Sequence, residues 1–367
     1  MDAALSQIIK STDLPPGARI VVAMSGGVDS SLTAVLLKKA GYEVIGITLK
    51  LTPSDIQPTK SKACCSGRDI QDARKVATQF QFPHYVLDYA SKFQKHVIDD
   101  FVESYMQGET PLPCVRCNQS VKFRDLLEMA QSLQASALAT GHYVHRENVK
   151  GKAALFQGQI SQKDQSYFLF ATTQKQLDFL RFPLGKFSKT QVRQWARELN
   201  IPVADKPDSQ DICFVPQGSY ADFVKKARPH WEKSGDIYHE NGQYLGQHKG
   251  VIHYTIGQRR GLQIAYDNPL YVLRFEGSTI IVGPQTSLAR SKLTLTDVNW
   301  LGEPKALQSS IHVKIRSNQS PVSAQFQNES LTHIHLHSPE YGIAPGQACV
   351  FYDQQRLLGG GWITKTA

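Results

Sequence analysis

The regular pattern of the chain opens at Ile20-Val21-Val22, an apolar run followed closely by Ser25-Gly26-Gly27. A short unbroken run of this kind predicts a strand buried on both faces. Ser31 to Ala40 then has helical spacing, Val44 to Lys50 reads as a second strand, and Val86 to Asp88 as a third. Between them, Ile70, Ala73, Val76 and Phe80 share one face of a helix over 66–80. Phe93, Val97, Phe101 and Tyr105 mark another helical face, Leu126 to Leu133 is helical, and Leu138 to Gly141 ends a further strand. Strands alternating with helices predict a parallel, doubly wound sheet, in which ligands sit outside the carboxyl ends of the strands. The 25–30 loop, Leu49 and Gly141-His142 converge at that end.

Ser188 to Leu199 is a last amphipathic helix of this kind, stopped by Asn200 and Pro202. Beyond Cys213 the pattern changes. Residues 216–284 are rich in Gly, Tyr and His, with turn signals such as Glu240-Asn241-Gly242. From Leu293 onward alternation dominates, with Ile311, Val313 and Ile315, then Val322, Ala324 and Phe326, then Ile334 and Leu336. The expected architecture is therefore an α/β chain in three parts: a doubly wound domain over 1–216, a small mixed domain over 217–285, and a small antiparallel β-barrel over 286–367.

Composition narrows the function classes. With 41% apolar and 20% charged residues in 367, the chain reads as an ordinary globular protein. Its apolar runs fall far short of the roughly 20 residues of a spanning helix, so no membrane association is expected. Residues 1–16 fit neither a signal nor a transit peptide, which points to the cytoplasm. The formal net charge of +9 permits a polyanionic partner without identifying one, and no basic tail carries it.

Chemistry enters at Ala23-Met24-Ser25-Gly26-Gly27-Val28-Asp29-Ser30. The glycines allow a tight turn with exposed N–H groups, Ser30 or Asp29 is placed to cap the following helix, and the positive helix end favours phosphate. No Gly-Lys-Ser/Thr ending follows, so this is not a Walker A loop. SGGVDS resembles the pyrophosphate loop of ATP-pyrophosphatases, which adenylate a carbonyl oxygen and release pyrophosphate.

The six cysteines are 64, 65, 114, 117, 213 and 349. Cys114 and Cys117 lie in a Pro-rich stretch before a helix expected to begin near Val121. A thiol at that helix start, beside Arg116 and Lys122, would have a lowered pKa. Cys213 follows another polar loop. Zinc would need two further ligands near Cys114 and Cys117, and no second Cys-x-x-Cys or nearby His pair supplies them. Cys64 and Cys65 read as loop thiols, Cys349 as core, and His333, His335 and His337 as the polar face of a strand. On these residues alone, a small-molecule ligase of the pyrophosphate-loop type and a non-catalytic RNA-binding module both remain open.

An ordered set of motifs is more specific. SGGVDS, Cys64-Cys65-Ser66, Pro-Cys-Val-Arg-Cys-Asn at 113–118, Ala-Thr-Gly-His-Tyr at 139–143, Lys-Asp-Gln-Ser-Tyr at 163–167, Asp-Ser-Gln-Asp-Ile-Cys-Phe at 208–214 and Tyr-Thr-Ile-Gly-Gln-Arg-Arg-Gly-Leu at 254–262 resemble the tRNA-specific 2-thiouridylases. The resemblance implies that Ala23, Met24, Ser25, Gly26, Gly27, Val28, Asp29, Ser30, Leu49 and Gly141 bind ATP, with Mg2+. It implies wobble uridine 34 of the tRNAs for Lys, Glu and Gln as substrate, and a cysteine desulfurase or sulfur carrier as donor. Cys213 matches the persulfide carrier and Cys117 the nucleophile, the two closing a transient disulfide. Leu112, Pro113, Cys114, Lys163, Asp164, Gln165, Arg316 and Ser317 match tRNA-contacting positions, and Lys206 and Asp208 are placed to orient the Cys213 loop. Where some members have aspartate, this chain has Cys114, so a second route stays open: sulfur transfer through a 4Fe–4S cluster on Cys114, Cys117 and Cys213.

Overall fold

The computed structural model of the chain describes residues 2–51, 67–208, 212–215, 220–229, 231, 234–302, 311–327 and 329–367. Cys64 and Cys65, and residues 209–211 of the Cys213 motif, lie outside the described residues.

The first region runs α1 (Asp2–Thr12), β1 (Arg19–Ala23), α2 (Val28–Lys39), β2 (Glu43–Lys50), α3 (Gly67–Gln79), β3 (His84–Asp88), α4 (Ala90–Phe93), α5 (Asp99–Met106), α6 (Pro113–Cys117), α7 (Asp125–Ser132) and β4 (Ala137–Ala139). It continues through a hairpin, β5 (Val144–Val149) and β6 (Lys152–Gln157), to α8 (Gln174–Phe179), β7 (Leu180–Arg181) and α9 (Lys189–Glu198). Five strands form a parallel sheet in the order β3-β2-β1-β4-β7. Alternate residues of β1 feed two cores: Val21 joins Ile47 and Leu138 on one face, while Ile20 and Val22 join Leu32 and Val35 of α2 on the other. Burial on both faces explains the unbroken apolar runs. Strand order reverses at β1, between β2 and β4, and a crevice opens at the carboxyl ends there.

The middle region has α10 (Tyr220–Ala227) and four strands, β8 (Gly235–His239), β9 (Tyr244–His248), β10 (Tyr271–Glu276) and β11 (Thr279–Gly283). They form a mixed sheet in the order β10-β11-β8-β9, with a core of Ile237, Val272, Ile280 and Val282.

The last region comprises β12 (Ala289–Trp300), β13 (Ile311–Lys314), β14 (Val322–Phe326), β15 (His333–Tyr341), β16 (Ala348–Asp353) and β17 (Arg356–Thr366). Because β12 pairs antiparallel with both β15 and β17, these strands close into a barrel that leaves β12 no free edge. Inward residues such as Leu293, Val313, Ile334 and Phe351 fill it. His333 and His337 stand exposed on β15, the polar face expected of them, and Cys349 is fully buried in β16.

One feature has no counterpart in the sequence pattern. The hairpin β5–β6, between β4 and β7 in the chain, leaves the parallel sheet and pairs with β17, Leu155 opposite Leu357. Val144 and Leu155 thereby share a single core with Leu138, Tyr167, Val350, Tyr352 and Trp362. Among the described residues, no helix is long and apolar enough to cross a membrane.

Candidate active site

At the crevice beyond β1 and β4 lies a cavity of about 1380 Å³. Its floor is the loop after β1 and the first turn of α2: Ala23, Met24, Ser25, Gly27, Val28, Asp29 and Ser30. Leu49 and Gly141 border it, as the sequence led one to expect, and His142 and Tyr143 continue the wall. Gly26 alone of that loop is turned away. Its φ of +74° is a left-handed conformation, and a side chain there would collide with the Asp69 carbonyl. Gly141 is needed for another reason, since a Cβ would come within 2.9 Å of the Asp29–Ser30 backbone.

The helix start differs from the expectation. Neither Ser30 nor Asp29 caps α2; the N-cap is Gly27, which has no side chain to bond the free N–H groups. Ser30 instead closes the loop from inside, its Oγ accepting from the Ser25 N–H at 3.1 Å and donating to the Gly27 carbonyl at 3.2 Å. Asp29, already inside the helix, faces the cavity. The start of α2 therefore offers N–H donors and a positive dipole end to an anion from the cavity.

Asp29 is the centre of a charge network. It accepts from the Tyr143 hydroxyl at 2.7 Å, and both its oxygens accept from Lys189 Nζ at 2.7 Å. Lys189 also lies 2.8 Å from Asp208 Oδ1, which Arg193 meets at 2.8 Å and whose other oxygen Lys163 approaches at 3.6 Å. Burial alone would raise the Asp208 pKa, but the bonds and charges of Lys189 and Arg193 outweigh it and hold the carboxyl below its ordinary range. Burial, and then the neighbouring Asp29, push the Tyr143 hydroxyl pKa upward, so it stays a donor. Burial, helped by Lys122, drives His142 down to about 3, leaving a neutral imidazole bonded to Thr140 Oγ1 at 2.7 Å.

Lys206 makes a second link. Its Nζ donates to the Gly26 carbonyl at 2.9 Å, to Asp69 at 2.6 Å and to Asp72 at 2.7 Å. The stretch that leads to Cys213 is thus tied to the loop after β1 at two places, 206 and 208. Lys206 and Asp208 were legible as orienting residues; Lys189, Arg193, Asp69 and Asp72 were not, because their partners are distant in sequence. The only local signal for Lys189 was its place just after Ser188, the N-cap of α9.

The thiols sit beside the cavity rather than in it, since none of Cys114, Cys117 and Cys213 lines it. Cys117 is 6% exposed and belongs to the large shared core, against which Cys213 and Phe214 also pack. Cys114 is exposed. The helix expected near Val121 begins earlier: α6 spans Pro113–Cys117 and runs on directly through a π-turn over Asn118–Lys122, so Cys117 lies inside a continuous helical run rather than at its start. Arg116 points elsewhere, to Asp100 at 3.4 Å and onto the Trp362 ring at 4.2 Å. The helix-start argument for a lowered Cys117 pKa therefore fails on geometry. Among the described residues, no three His, Cys, Asp or Glu side chains are grouped so as to hold a metal ion. No step is routed through a 4Fe–4S cluster on Cys114, Cys117 and Cys213.

Of the residues matched to RNA contacts, Lys163 and Gln165 line the cavity. Asp164 does not: its carboxylate, 1% exposed, accepts from the Gly158 and Ser166 N–H groups at 3.0 Å and shapes the loop. Leu112 is half-buried, Pro113 buried and Ser317 half-buried. Arg316 is exposed on the barrel, its guanidinium donating to the Tyr341 and Gly342 carbonyls.

Comparisons with known proteins give this geometry a family. Residues 18–217 match the family model described as the tRNA methyl transferase HUP domain, 221–284 the tRNA methyl transferase PRC-barrel domain, and 290–363 the aminomethyltransferase beta-barrel domain. The tRNA-specific 2-thiouridylase MnmA of Rhodospirillum centenum is 52% identical over 363 residues, covering 96% of this chain and 93% of that protein. The protein of the same name from Rickettsia massiliae is 52% identical over 352 residues, covering 94% and 96%. Among solved structures, the U34-tRNA thiolase NcsA from Methanococcus maripaludis with its 4Fe–4S cluster aligns with a TM-score of 0.39 and 16% identity, over 63% of this chain and 75% of that one. A family model over more than half of the sequence, and relatives 52% identical along nearly all of it, establish that the chain belongs to the tRNA-specific 2-thiouridylase family.

Proposed function

We propose that the chain converts wobble uridine 34 of the tRNAs for Lys, Glu and Gln to 2-thiouridine, using MgATP and a persulfide. The C2 carbonyl of uridine is a poor electrophile because oxide would have to leave. In the proposed reaction the C2 oxygen attacks the α-phosphorus of ATP, the bond to the β-phosphate breaks, and pyrophosphate departs. Ala23 to Ser30 with Leu49 and Gly141 hold the nucleotide, and the uncapped N–H groups at Gly27–Ser30 receive the phosphates.

The terminal sulfur of a Cys213 persulfide then attacks C2, and the C2–O bond breaks with AMP as leaving group. The Cys117 thiolate attacks Sγ of Cys213, closing the Cys117–Cys213 disulfide and leaving sulfur on C2. A dithiol reductant restores both thiols, and a cysteine desulfurase or sulfur carrier reloads Cys213. The base must leave the anticodon stack to react. In this reading Lys163 and Gln165 meet it at the cavity, with Leu112 to Cys114 and the barrel's Arg316 and Ser317 meeting the surrounding RNA. Residues 1–216 carry the chemistry, 217–285 and 286–367 hold the tRNA, and the cytoplasm is the place of work.

What supports this reading is the tying of the Cys213 stretch to the loop after β1 through Asp208 and Lys206, around one cavity. The test is an anaerobic single turnover with ATP, unmodified tRNA transcript and a persulfide donor, read by nucleoside mass spectrometry and AMP release. Both 2-thiouridine and AMP are expected. Cys117→Ser and Cys213→Ser should abolish thiolation while AMP still forms, and Asp29→Asn should suppress both. Full thiolation by any of the three contradicts the assignment.

A further inference from the structure

Two carboxylates share one cation in this site. Lys189 Nζ lies 2.7 Å from both oxygens of Asp29, in the first turn of α2 just after the β1 loop, and 2.8 Å from Asp208, on the stretch leading to Cys213. Its side chain is 14% exposed and lines the cavity. One turn along α9, Arg193 grips the same stretch by the Ala204 carbonyl at 3.1 Å, the Lys206 carbonyl at 3.0 Å and Asp208 at 2.8 Å. Arg193 therefore secures the stretch to α9, whereas Lys189 joins it to the nucleotide loop. α9 itself is set rigidly by a reciprocal cap between Ser188 and Gln191.

We propose that Lys189 is a positioning residue for sulfur transfer: by bonding Asp29 and Asp208 together it sets the approach of Cys213 to the base activated at the loop. The inference rests on the thiouridylase reading. Activation and transfer need different things from the site. Adenylation requires nucleotide, base and loop, but transfer also requires the sulfur-bearing stretch to be in line with C2. A misplacement of about 1 Å costs on the order of a hundredfold in such a step. If the sulfur is out of line, water takes the adenylate, returning uridine and AMP.

The decisive quantity is thus AMP released per 2-thiouridine formed, measured in single turnovers with the full-length protein, ATP, tRNA transcript and persulfide donor. Lys189→Met is expected to raise that ratio by about tenfold or more, and Lys189→Arg, which retains a cation, to bring it back to within about threefold of the parent. Asp208→Asn approaches the same bond from the other side and should raise the ratio equally. The double variant Lys189→Met/Asp208→Asn should be no worse than either single one. A ratio unchanged in folded Lys189→Met and Asp208→Asn proteins, checked by circular dichroism, overturns the inference, as does simple additivity. Failure of the parent protein to form either 2-thiouridine or AMP would instead sink the thiouridylase reading on which the inference rests.

Discussion

His84 shows how a single side chain of this fold reads out pH. Its ring stands at the start of β3, with Nε2 2.8 Å from the buried Thr48 hydroxyl and a buried Nδ1 that meets no partner among the described residues. Protonation would make donors of both ring nitrogens, and among the described residues no acceptor meets Nδ1. Burial, and next the charge of Arg74, accordingly push its pKa down to about 4. The unfolded chain binds that proton near pH 6.5, so the unfolded state holds more protons between about 6.5 and 4. Stability from His84 is complete above about pH 6.5 and is lost as pH falls toward 4, by roughly 1–3 kcal/mol. Urea midpoints at pH 7.5 and 5.0 should show this fall in the parent and a smaller one in His84→Gln. Equal falls in both would place the effect elsewhere. At this scale the sequence was partly legible. The glycine loop could be read because its residues act together within a few positions. Lys189 could not, because its meaning depends on Asp29, 160 residues away.

Helices and strands were legible where their apolar period was local. The spacing placed α9 at 188–199, and it spans Lys189–Glu198; the alternation from 311 onward became the barrel strands. The hairpin β5–β6 escaped because its pairing partner is β17, some two hundred residues on, and nothing within 144–157 names that partner. The start of α2 was misjudged for a physical reason. A serine and an aspartate there resemble a cap, yet Ser30 is turned into the loop and Asp29 into the charge network. α9 is the contrasting case, with a complete capping box. Ser188 Oγ accepts from the Gln191 N–H at 3.2 Å, and Gln191 Oε1 accepts from the Ser188 N–H at 2.9 Å. Ser188→Ala should cost about 1 kcal/mol in urea unfolding. Because Lys189 follows directly, thiolation should fall more than the loss of folded protein accounts for. A stability loss with unaltered thiolation per folded molecule would separate the cap from the site.

The whole molecule behaves as more than a catalytic sheet with appendages. Tyr352, Leu357 and Trp362 of the barrel lie in the same core as Cys117, Val121 and Leu138 of the first region. Tyr167 donates across the junction to the Ala348 carbonyl at 3.0 Å, and Asn299 to the Phe170 carbonyl at 2.6 Å. Trp362 is the clearest link. Its ring packs edge-on to Phe170 at 5.4 Å and lies under Arg116, which sits between Cys114 and Cys117 in α6. The barrel thereby supports the helix that carries the proposed nucleophile. Truncating a buried tryptophan costs about 3–5 kcal/mol, and a cation on its face adds roughly 1 kcal/mol more. Trp362→Ala should therefore lower stability and also depress thiolation per folded molecule, because α6 loses its support. Trp300→Ala is the control. That ring packs on Phe326 and Phe351 within the barrel's own core. It should reduce stability while leaving thiolation per folded molecule near that of the parent. Two variants equally damaged in stability but unequal in chemistry would tie the barrel to the sulfur step; equal chemistry would reduce it to a platform for RNA.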